Sequence, residues 1–462
     1  MFIGREKELR TLEKHYASNK FECIAIYGRR RVGKTTIINQ FIKNKKTIYF
    51  TGLETNAENN LLNLSKSILA AQGHTVNVAF PSYQAALDEI YRMSQNERIV
   101  LVIDEYPYLA ASYPTISSQL QIMIDHKYKN GKLFIILCGS SMSFMEKQVL
   151  GYQSPLFGRR TAQLKILPFG YFDTKNFFTK YTNQEIATIY GITGGIPQYI
   201  AEFNENISLA ENIKDKLLDT TAYLFEEPAN LLKQELREPA AYNAVIEAIA
   251  NGYTRLAEIA TKANISSSLC STYLSSLISL GIVTKDAPLG NATTRKTIYL
   301  LSDGIFRFWY KFIPSNIALI QQGKNEIAYN IISEQLPAYT GFIFEDICKE
   351  YLWRINGTDK LPFIFSELGR WWGNDKRKKQ ETEVDIVAHD PTHKQLLLGE
   401  CKWTNSLVDK DVLDDLLDQG ALFTADAKFY YLFAKTGFTE KCRIAAKNQG
   451  NVILITFEEM NK

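Results

Sequence analysis

Cys23-Ile24-Ala25-Ile26-Tyr27-Gly28-Arg29-Arg30-Arg31-Val32-Gly33-Lys34-Thr35-Thr36 joins a short apolar run to a complete G-x-x-x-x-G-K-[ST] loop. The run before Gly28 has strand character, and Ile37, Ile38, Phe41 and Ile42 behind the loop suit a helix. Strand, glycine loop and helix form the context in which this motif grips phosphate. The glycines let the backbone curl until its N–H groups face phosphate oxygens, and the helix N-terminus adds partial positive charge. The expected cradle is Gly28, Arg29, Arg30, Arg31, Val32, Gly33, Lys34, Thr35 and Thr36. In it Lys34 reaches the β- and γ-phosphates and the Thr35 hydroxyl holds Mg²⁺. The alternative is a glycine turn with a chance Gly-Lys-Thr, which the flanking strand and helix disfavour.

Such a loop needs a second strand that brings a carboxylate to the metal. Arg98-Ile99-Val100-Leu101-Val102-Ile103-Asp104-Glu105 is an unbroken aliphatic run ending in two acids. It has the pattern of a strand buried on both faces of a parallel sheet, whose carboxyl edge is where such sheets bind ligands. Asp104 is expected to hold Mg²⁺ through its water shell, and Glu105 to orient and deprotonate the attacking water. Leu133 to Ser141 is a third such strand, and Ser140 or Ser141 at its end is placed to sense the γ-phosphate. Arg159 or Arg160, before the strand Ala162–Leu167, is an expected transition-state cation, acting in cis or from a neighbouring subunit. Thr193-Gly194-Gly195-Ile196-Pro197 either brings backbone near the nucleotide or simply ends a helix.

These motifs, with the opening Phe2-Ile3-Gly4-Arg5-Glu6-Lys7-Glu8-Leu9, resemble in their order the archaeal-type ATPase family. That family is grouped with the signal-transducing (STAND) branch of P-loop ATPases, relatives of AAA+ proteins. The resemblance covers roughly residues 1–205 and implies ATP as the nucleotide. It also implies that the opening segment lies against the adenine. The absence of an Asn-Lys-x-Asp guanine-reading motif agrees with ATP.

Bulk properties narrow the rest. With 462 residues, two to four domains are expected. A composition of 45% hydrophobic and 22% charged residues is that of an ordinary globular protein. Net charge is only +3, so any nucleic-acid binding must be local. Six scattered cysteines without C-x-x-C spacing read as reduced thiols, neither a disulfide framework nor a zinc site. No apolar stretch approaches the length of a membrane span, and no signal-peptide layout opens the chain. The expected location is the cytoplasm.

Residues 206–238 read as helical, with Glu226-Glu227-Pro228 marking a break. Three short helices follow, Tyr242–Ala250, Arg255–Lys262 and Ser266–Leu280, the last opened by serines that suit an N-cap. Ile282-Val283-Thr284 and Thr297-Ile298-Tyr299-Leu300 flank Pro288-Leu289-Gly290-Asn291, a hairpin signal. Three helices and a hairpin make a winged helix, whose third helix can enter a major groove. Here that helix contains no lysine or arginine, and only Lys285, Arg295 and Lys296 offer charge in the wing. Packing against neighbours and gripping DNA both stay open.

Glu383-Val384-Asp385-Ile386-Val387-Ala388 and Leu396-Leu397-Leu398-Gly399-Glu400-Cys401-Lys402-Trp403 are two strands around a turn at His389–Gln395. A turn centred near Thr392 and His393 puts Asp385 opposite Glu400, and strand alternation puts Lys402 on the face of Glu400. Two carboxylates suit Mg²⁺ or Mn²⁺, with an ammonium beside them for charge on a phosphodiester. Glu345, on a helix Gly341–Trp353, can approach the same metal, and a helix Asp409–Leu417 can cover the sheet.

This D-x(14)-E-x-K arrangement resembles the PD-(D/E)XK nuclease superfamily. Residues 300–462 resemble the nuclease-like domain that often follows the ATPase in the archaeal-type family. The landmarks are Phe306-Arg307-Phe308-Trp309-Tyr310, Gly341-Phe342-Ile343-Phe344-Glu345, Gly369-Arg370-Trp371-Trp372-Gly373 and the two strands. The resemblance implies Glu345, Asp385, Glu400 and Lys402 as the catalytic set, although Val384 stands where the superfamily has proline. Arg370, Lys376, Arg377, Lys378 and Lys379, with Trp371 and Trp372, form either a nucleic-acid track or a basic surface loop.

The expected architecture is α/β in three parts. A P-loop ATPase domain of AAA+/STAND type spans 1–205, a helical linker and winged helix 206–300, and a restriction-endonuclease-like domain 301–462. The expected function is an ATPase whose nucleotide state controls a metal-dependent nuclease-like domain acting on DNA or RNA. The alternative is a nucleotide-switched scaffold that binds nucleic acid or a protein without cleaving. A homo-oligomer or a protein partner is compatible with either, and the membrane with neither.

Overall fold

The computed structural model describes residues 2–236, 238–290 and 296–462, so Asn291 of the expected hairpin turn and Arg295 of the wing lie outside the described residues. The chain falls into two compact units. The first is residues 1–168 with 196–198, and the second is 169–195 with 199–462.

The first unit is built on a five-stranded parallel sheet: β1 (Glu22–Tyr27), β2 (Thr47–Thr51), β3 (Val100–Asp104), β4 (Phe134–Gly139) and β5 (Ala162–Lys165), in the order β2-β3-β4-β1-β5. The aliphatic runs of β1, β3 and β4 are buried at every position because both sheet faces are covered. Edge strand β5 alternates between half-buried and exposed residues. One face packs Cys23, Leu101, Ile135 and Leu137 against Leu87, Ile90 and Leu120, and the other packs Ile24, Val102 and Ile136 against Ile37, Ile38 and Phe41. The helix Lys34–Ile42 begins directly after Gly33 and turns its apolar side to that second face. The ends of β1, β3 and β4 therefore lie side by side at one edge.

In the second unit the helices Leu209–Leu217 and Tyr223–Glu235 precede Pro239–Ala250, Leu256–Lys262 and Ser267–Ser279. Ser266 caps the last of these, its Oγ accepting from the Leu269 N–H. Strands β6 (Val283–Asp286) and β7 (Ile298–Leu301) pair antiparallel behind them. The expected break at Pro228 is absent, because the Tyr223–Glu235 helix runs through it. A proline removes a single helical N–H, and burial of Leu224, Leu231 and Leu232 along the same helix offsets that loss.

Two long helices, Gly304–Gln321 and Asn325–Ile355, lead into a mixed sheet of β8 (Glu367–Asp375), β9 (Gln380–His389), β10 (Gln395–Lys402), β11 (Ala427–Ala434) and β12 (Val452–Thr456). Its order is β12-β11-β10-β9-β8. β8, β9 and β10 are antiparallel neighbours, while β10, β11 and β12 run parallel, linked by the helices Lys410–Gln419 and Glu440–Gln449. The helix expected over Gly341–Trp353 is the last part of Asn325–Ile355, which passes through Pro337.

Candidate functional site

At the edge of the first sheet the phosphate loop leaves β1 at Gly28. A Cβ built there would stand 2.3 Å from the Ile166 carbonyl oxygen, so only glycine fits this approach. Arg31 holds a left-handed φ of 71° within the loop. Lys34 is buried and donates from Nζ to the carbonyls of Gly28 (2.8 Å) and Arg29 (2.9 Å). Burial lowers its proton affinity, and Glu105 and Asp104 oppose that shift. The Thr35 hydroxyl donates to Asp104 Oδ2 at 3.2 Å, which brings both expected metal groups together. A hydroxyl and a carboxylate side by side at a phosphate loop suit Mg²⁺, so the donor set fits the expected ion.

Glu105 directly follows β3 in a left-handed conformation, φ 48°, which strains a non-glycine backbone by about 1–3 kcal/mol. The turn carries its carboxylate to β4, where Ser140 donates to Oε2 from its hydroxyl (2.9 Å) and its N–H (3.3 Å). Of the two serines considered at this strand end, Ser140 is the one bonded to Glu105. Arg30 donates to the Tyr108 hydroxyl at 3.0 Å.

Arg159 lies elsewhere. Its Nη2 is 2.9 Å from Asp125 Oδ2, its Nε also faces that carboxylate, and Nη1 donates to the Phe157 carbonyl. Arg160 donates to Gln163 and to the Leu150 carbonyl. Gly194 ends the Asn183–Thr193 helix in a left-handed turn, and Pro197 passes 3.9 Å from a Cβ built on Gly33. The Gly-Gly-Ile-Pro segment thus ends a helix and also places its proline against the phosphate loop.

In the second unit, β9 and β10 pair as far as Ile386↔Gly399, and one step further stand Asp385 and Glu400. The Cys401 N–H donates to Asp385 Oδ2 at 2.9 Å, and Lys402 Nζ to Glu400 Oε1 at 2.6 Å. On the other side of β9 the register shifts between Gly369↔Val387 and Trp371↔Val384, so Asp385 and Ile386 face the single residue Arg370. Such a bulge re-aims side chains. Arg370 turns to Glu345 (Nε to Oε2, 3.6 Å) and to Glu383 (Nη2 to Oε2, 3.3 Å). Lys349 lies 3.8 Å from Glu345 on the same helix.

The four acids and bases expected at this centre are thus neighbours. Burial, followed by the charge of Asp385, pushes the Glu345 carboxyl up to about 7. The same two causes raise Glu400, and burial raises Asp385 against the pull of Lys402 and Arg370. Among the described residues no three His, Cys, Asp or Glu side chains are placed to hold one metal ion. Mg²⁺ is commonly bound through one or two carboxylates with several waters retained, and Asp385 with Glu400 supplies that donor set.

The expected basic track is largely neutralised. Arg377 pairs with Asp375 (2.8 Å) and Asp418 (3.2 Å), and Lys378 with Asp418 (2.9 Å). Trp371 packs edge-on against Phe423.

Comparison with known proteins places the chain in a family. A family model described as an ATPase domain predominantly from Archaea matches residues 2–203, and one for archaeal and bacterial proteins of unknown function matches residues 309–413. The uncharacterized protein MJECL04 of Methanocaldococcus jannaschii is 32% identical over 467 aligned residues, covering 100% of both chains. The chain belongs to the archaeal-type P-loop ATPase family. The ATP-binding protein MJ0423 of the same organism shares 52% identity over 46 residues, 10% of this ATPase and 78% of that protein. The Walker-type ATPase paby2304 of Pyrococcus abyssi superposes with a TM-score of 0.53 at 20% identity, over 67% of this chain and 96% of that one. That likeness concerns the fold. The ATPase binds ATP, with Mg²⁺ as the nucleotide's usual companion. No helix among the described residues is long and apolar enough to cross a membrane.

Three groups in this ATPase make contacts that their sequence does not foretell. The Tyr49 hydroxyl donates to Asp104 Oδ2 at 2.7 Å, and burial followed by that carboxylate raises its own proton affinity. Its signal was a polar-tipped residue in the apolar run Thr47–Thr51, useful only once β2 is known to flank β3. Arg5 donates to the carbonyls of Val32 (3.2 Å) and Leu167 (2.6 Å), bracing the phosphate loop from the opening motif. Arg370, expected in either a nucleic-acid track or a basic surface loop, stands among the acids Glu345 and Glu383.

Proposed function

We propose that this protein is an ATP-hydrolysing member of the STAND branch whose nucleotide state controls a metal-dependent, nuclease-like centre acting on DNA or RNA. Residues 1–205 form the ATPase domain, 206–300 a linker with a winged helix, and 301–462 a PD-(D/E)XK-like domain in a cytoplasmic protein. The observation that carries the second half is the meeting of Asp385, Glu400 and Lys402, on the neighbouring strands β9 and β10, with Glu345 of the helix Asn325–Ile355.

Bound Mg²⁺ would supply charge neutralisation at ATP and polarise the scissile phosphodiester at the second centre. The protein's own part at ATP begins with Lys34 exchanging the Gly28 and Arg29 carbonyls for phosphate oxygens. Glu105, released by Ser140, takes the proton of the attacking water. Arg159, beside the start of β1 and so at the opposite end of the sheet from its own phosphate loop, would exchange Asp125 for developing charge at a neighbouring subunit's nucleotide. At the second centre Asp385 and Glu400 would hold the metal, with Glu345 beside Asp385, and Lys402 would stabilise charge on the phosphoryl oxygens.

Purified wild type and a Glu400→Ala/Lys402→Ala variant, incubated with single- and double-stranded DNA and RNA, Mg²⁺ or Mn²⁺, and with or without ATP, test this reading. Cleavage by the wild type alone, altered by ATP, is the expected result. No cleavage by protein that still hydrolyses ATP would favour a switched scaffold. That second reading draws on the lack of a three-ligand metal cluster among the described residues.

A further inference from the structure

A cavity of about 310 Å³ opens in the second unit among the helix Pro239–Ala250, β7 and the two long helices. Ile249, Leu300, Tyr339 and Phe342 form its apolar wall, and Arg307 and Lys311 stand at its rim. This is the lower end of ligand-pocket sizes, room for one base with its sugar.

Arg307 and Lys311 are one helical turn apart on one face. Neither forms an ion pair with a carboxylate among the described residues. Arg307 donates from Nε and Nη2 to the Leu301 carbonyl (3.0 and 2.8 Å), which fixes its Cζ 5.3 Å from the centre of the Phe342 ring. Phe342 is 38% exposed, a large aromatic at an open pocket. Two cations beside an apolar, aromatic-walled cavity complement a group that is aromatic at one end and anionic at the other.

The cavity also borders the acidic centre. Phe342 lies one turn before Glu345 on the same helix, and Arg370 stands 6.0 Å from the Phe342 ring and 3.6 Å from Glu345. We propose that the cavity takes one unstacked nucleotide of a nucleic-acid strand, its base against Tyr339 and Phe342 and its phosphate against Lys311 and Arg307. The delivery of the adjoining phosphodiester to Asp385 and Glu400 rests on the nuclease-like reading; the binding of the nucleotide does not. The substrate is then a strand with an unpaired base, and the Phe306–Tyr310 and Gly341–Glu345 segments serve to build its seat.

The test is fluorescence anisotropy of a labelled single-stranded oligonucleotide and its blunt duplex with the full chain, in EDTA, across a salt series. Phe342→Ala is expected to weaken single-strand binding about 5- to 100-fold, the range for loss of one stacked base. Lys311→Ala is expected to flatten the log–log salt dependence by about 0.7, one phosphate contact on a single strand, with Lys311→Arg restoring it. The duplex should respond less. Single-strand binding that is absent in the wild type, or unchanged in both alanine variants with wild-type melting curves, would overturn the proposal, as would occupancy by a peptide instead. Wild type that binds through the cavity yet cleaves nothing would sink only the nuclease reading. Wild type that cleaves while the variants bind normally would sink only the cavity.

Discussion

The Ser140 hydroxyl donates to Glu105 Oε2 at 2.9 Å across the ends of two neighbouring parallel strands. This bond occupies an oxygen of the proposed general base, and it joins that carboxylate to the serine proposed to sense the γ-phosphate. Glu105→Gln is expected to lower ATP turnover about 10²- to 10⁴-fold with ATP affinity little changed. Ser140→Ala should lower turnover about 10-fold, and the double variant should be no slower than Glu105→Gln alone, because the two act as a unit. Steady-state phosphate release on the three variants decides it, and additive losses would count against the link.

Tyr49 holds Asp104 from the strand next door. Outer partners of metal-binding groups typically contribute about 10- to 100-fold in metal affinity or activity. Tyr49→Phe should therefore raise the Mg²⁺ concentration for half-maximal turnover by about 10-fold and leave ADP binding in EDTA unaltered. Titrations of both reactions separate this from a general loosening of the site, which would weaken ADP binding as well.

Glu345 is a carboxyl held at about 7 in the folded protein against 4.5 for the free side chain. The folded state binds this proton more tightly than the unfolded chain. Its stabilising contribution is complete below pH 4.5 and is lost as pH rises through 7. The Tm of wild type minus that of Glu345→Gln is expected to fall between pH 5 and pH 8, by the equivalent of roughly 1–3 kcal/mol. Added Mg²⁺ should restore more of the wild-type Tm at pH 8 than at pH 5. A pH-independent difference would show that neither burial nor the charge of Asp385 raises this group.

Gly195 combines a φ of +71° with a position where a Cβ would stand 1.8 Å from the Phe169 carbonyl oxygen. Gly195→Ala must shift backbone, and a loss of at least about 2 kcal/mol in urea unfolding is expected.

The sequence shows most clearly what burial on both faces writes into it. Val100–Asp104 and Phe134–Gly139 are legible because a central parallel strand is aliphatic throughout. The opposition of Asp385 and Glu400 is legible because a five-residue turn fixes a hairpin's register. Features that depend on which strand lies beside which are not legible. Tyr49 becomes a partner of Asp104 only through the order β2-β3, and Arg370 reaches Glu345 only through a register shift opposite Asp385. The pairing of Arg159 with Asp125 joins residues 34 positions apart with no local signal. Pro228 and Pro337 inside helices were masked by their intrinsic preference, which the packing of the same helices overrides.

The mixed topology of the C-terminal sheet also predicts an order for its assembly. β8, β9 and β10 meet through short turns, whereas β11 and β12 must wait for two helical crossovers, so the antiparallel half is the low-contact-order half. Asp390, whose carboxylate accepts from the Thr392 and Gln395 N–H groups in the β9–β10 turn, belongs to the early half. Destabilising that turn should slow folding, while trimming Ile455 in β12 should chiefly hasten unfolding. The two facing carboxylates would then meet while the chain is still open to solvent, and their mutual repulsion would be felt in full only as the surrounding fold completes and water leaves.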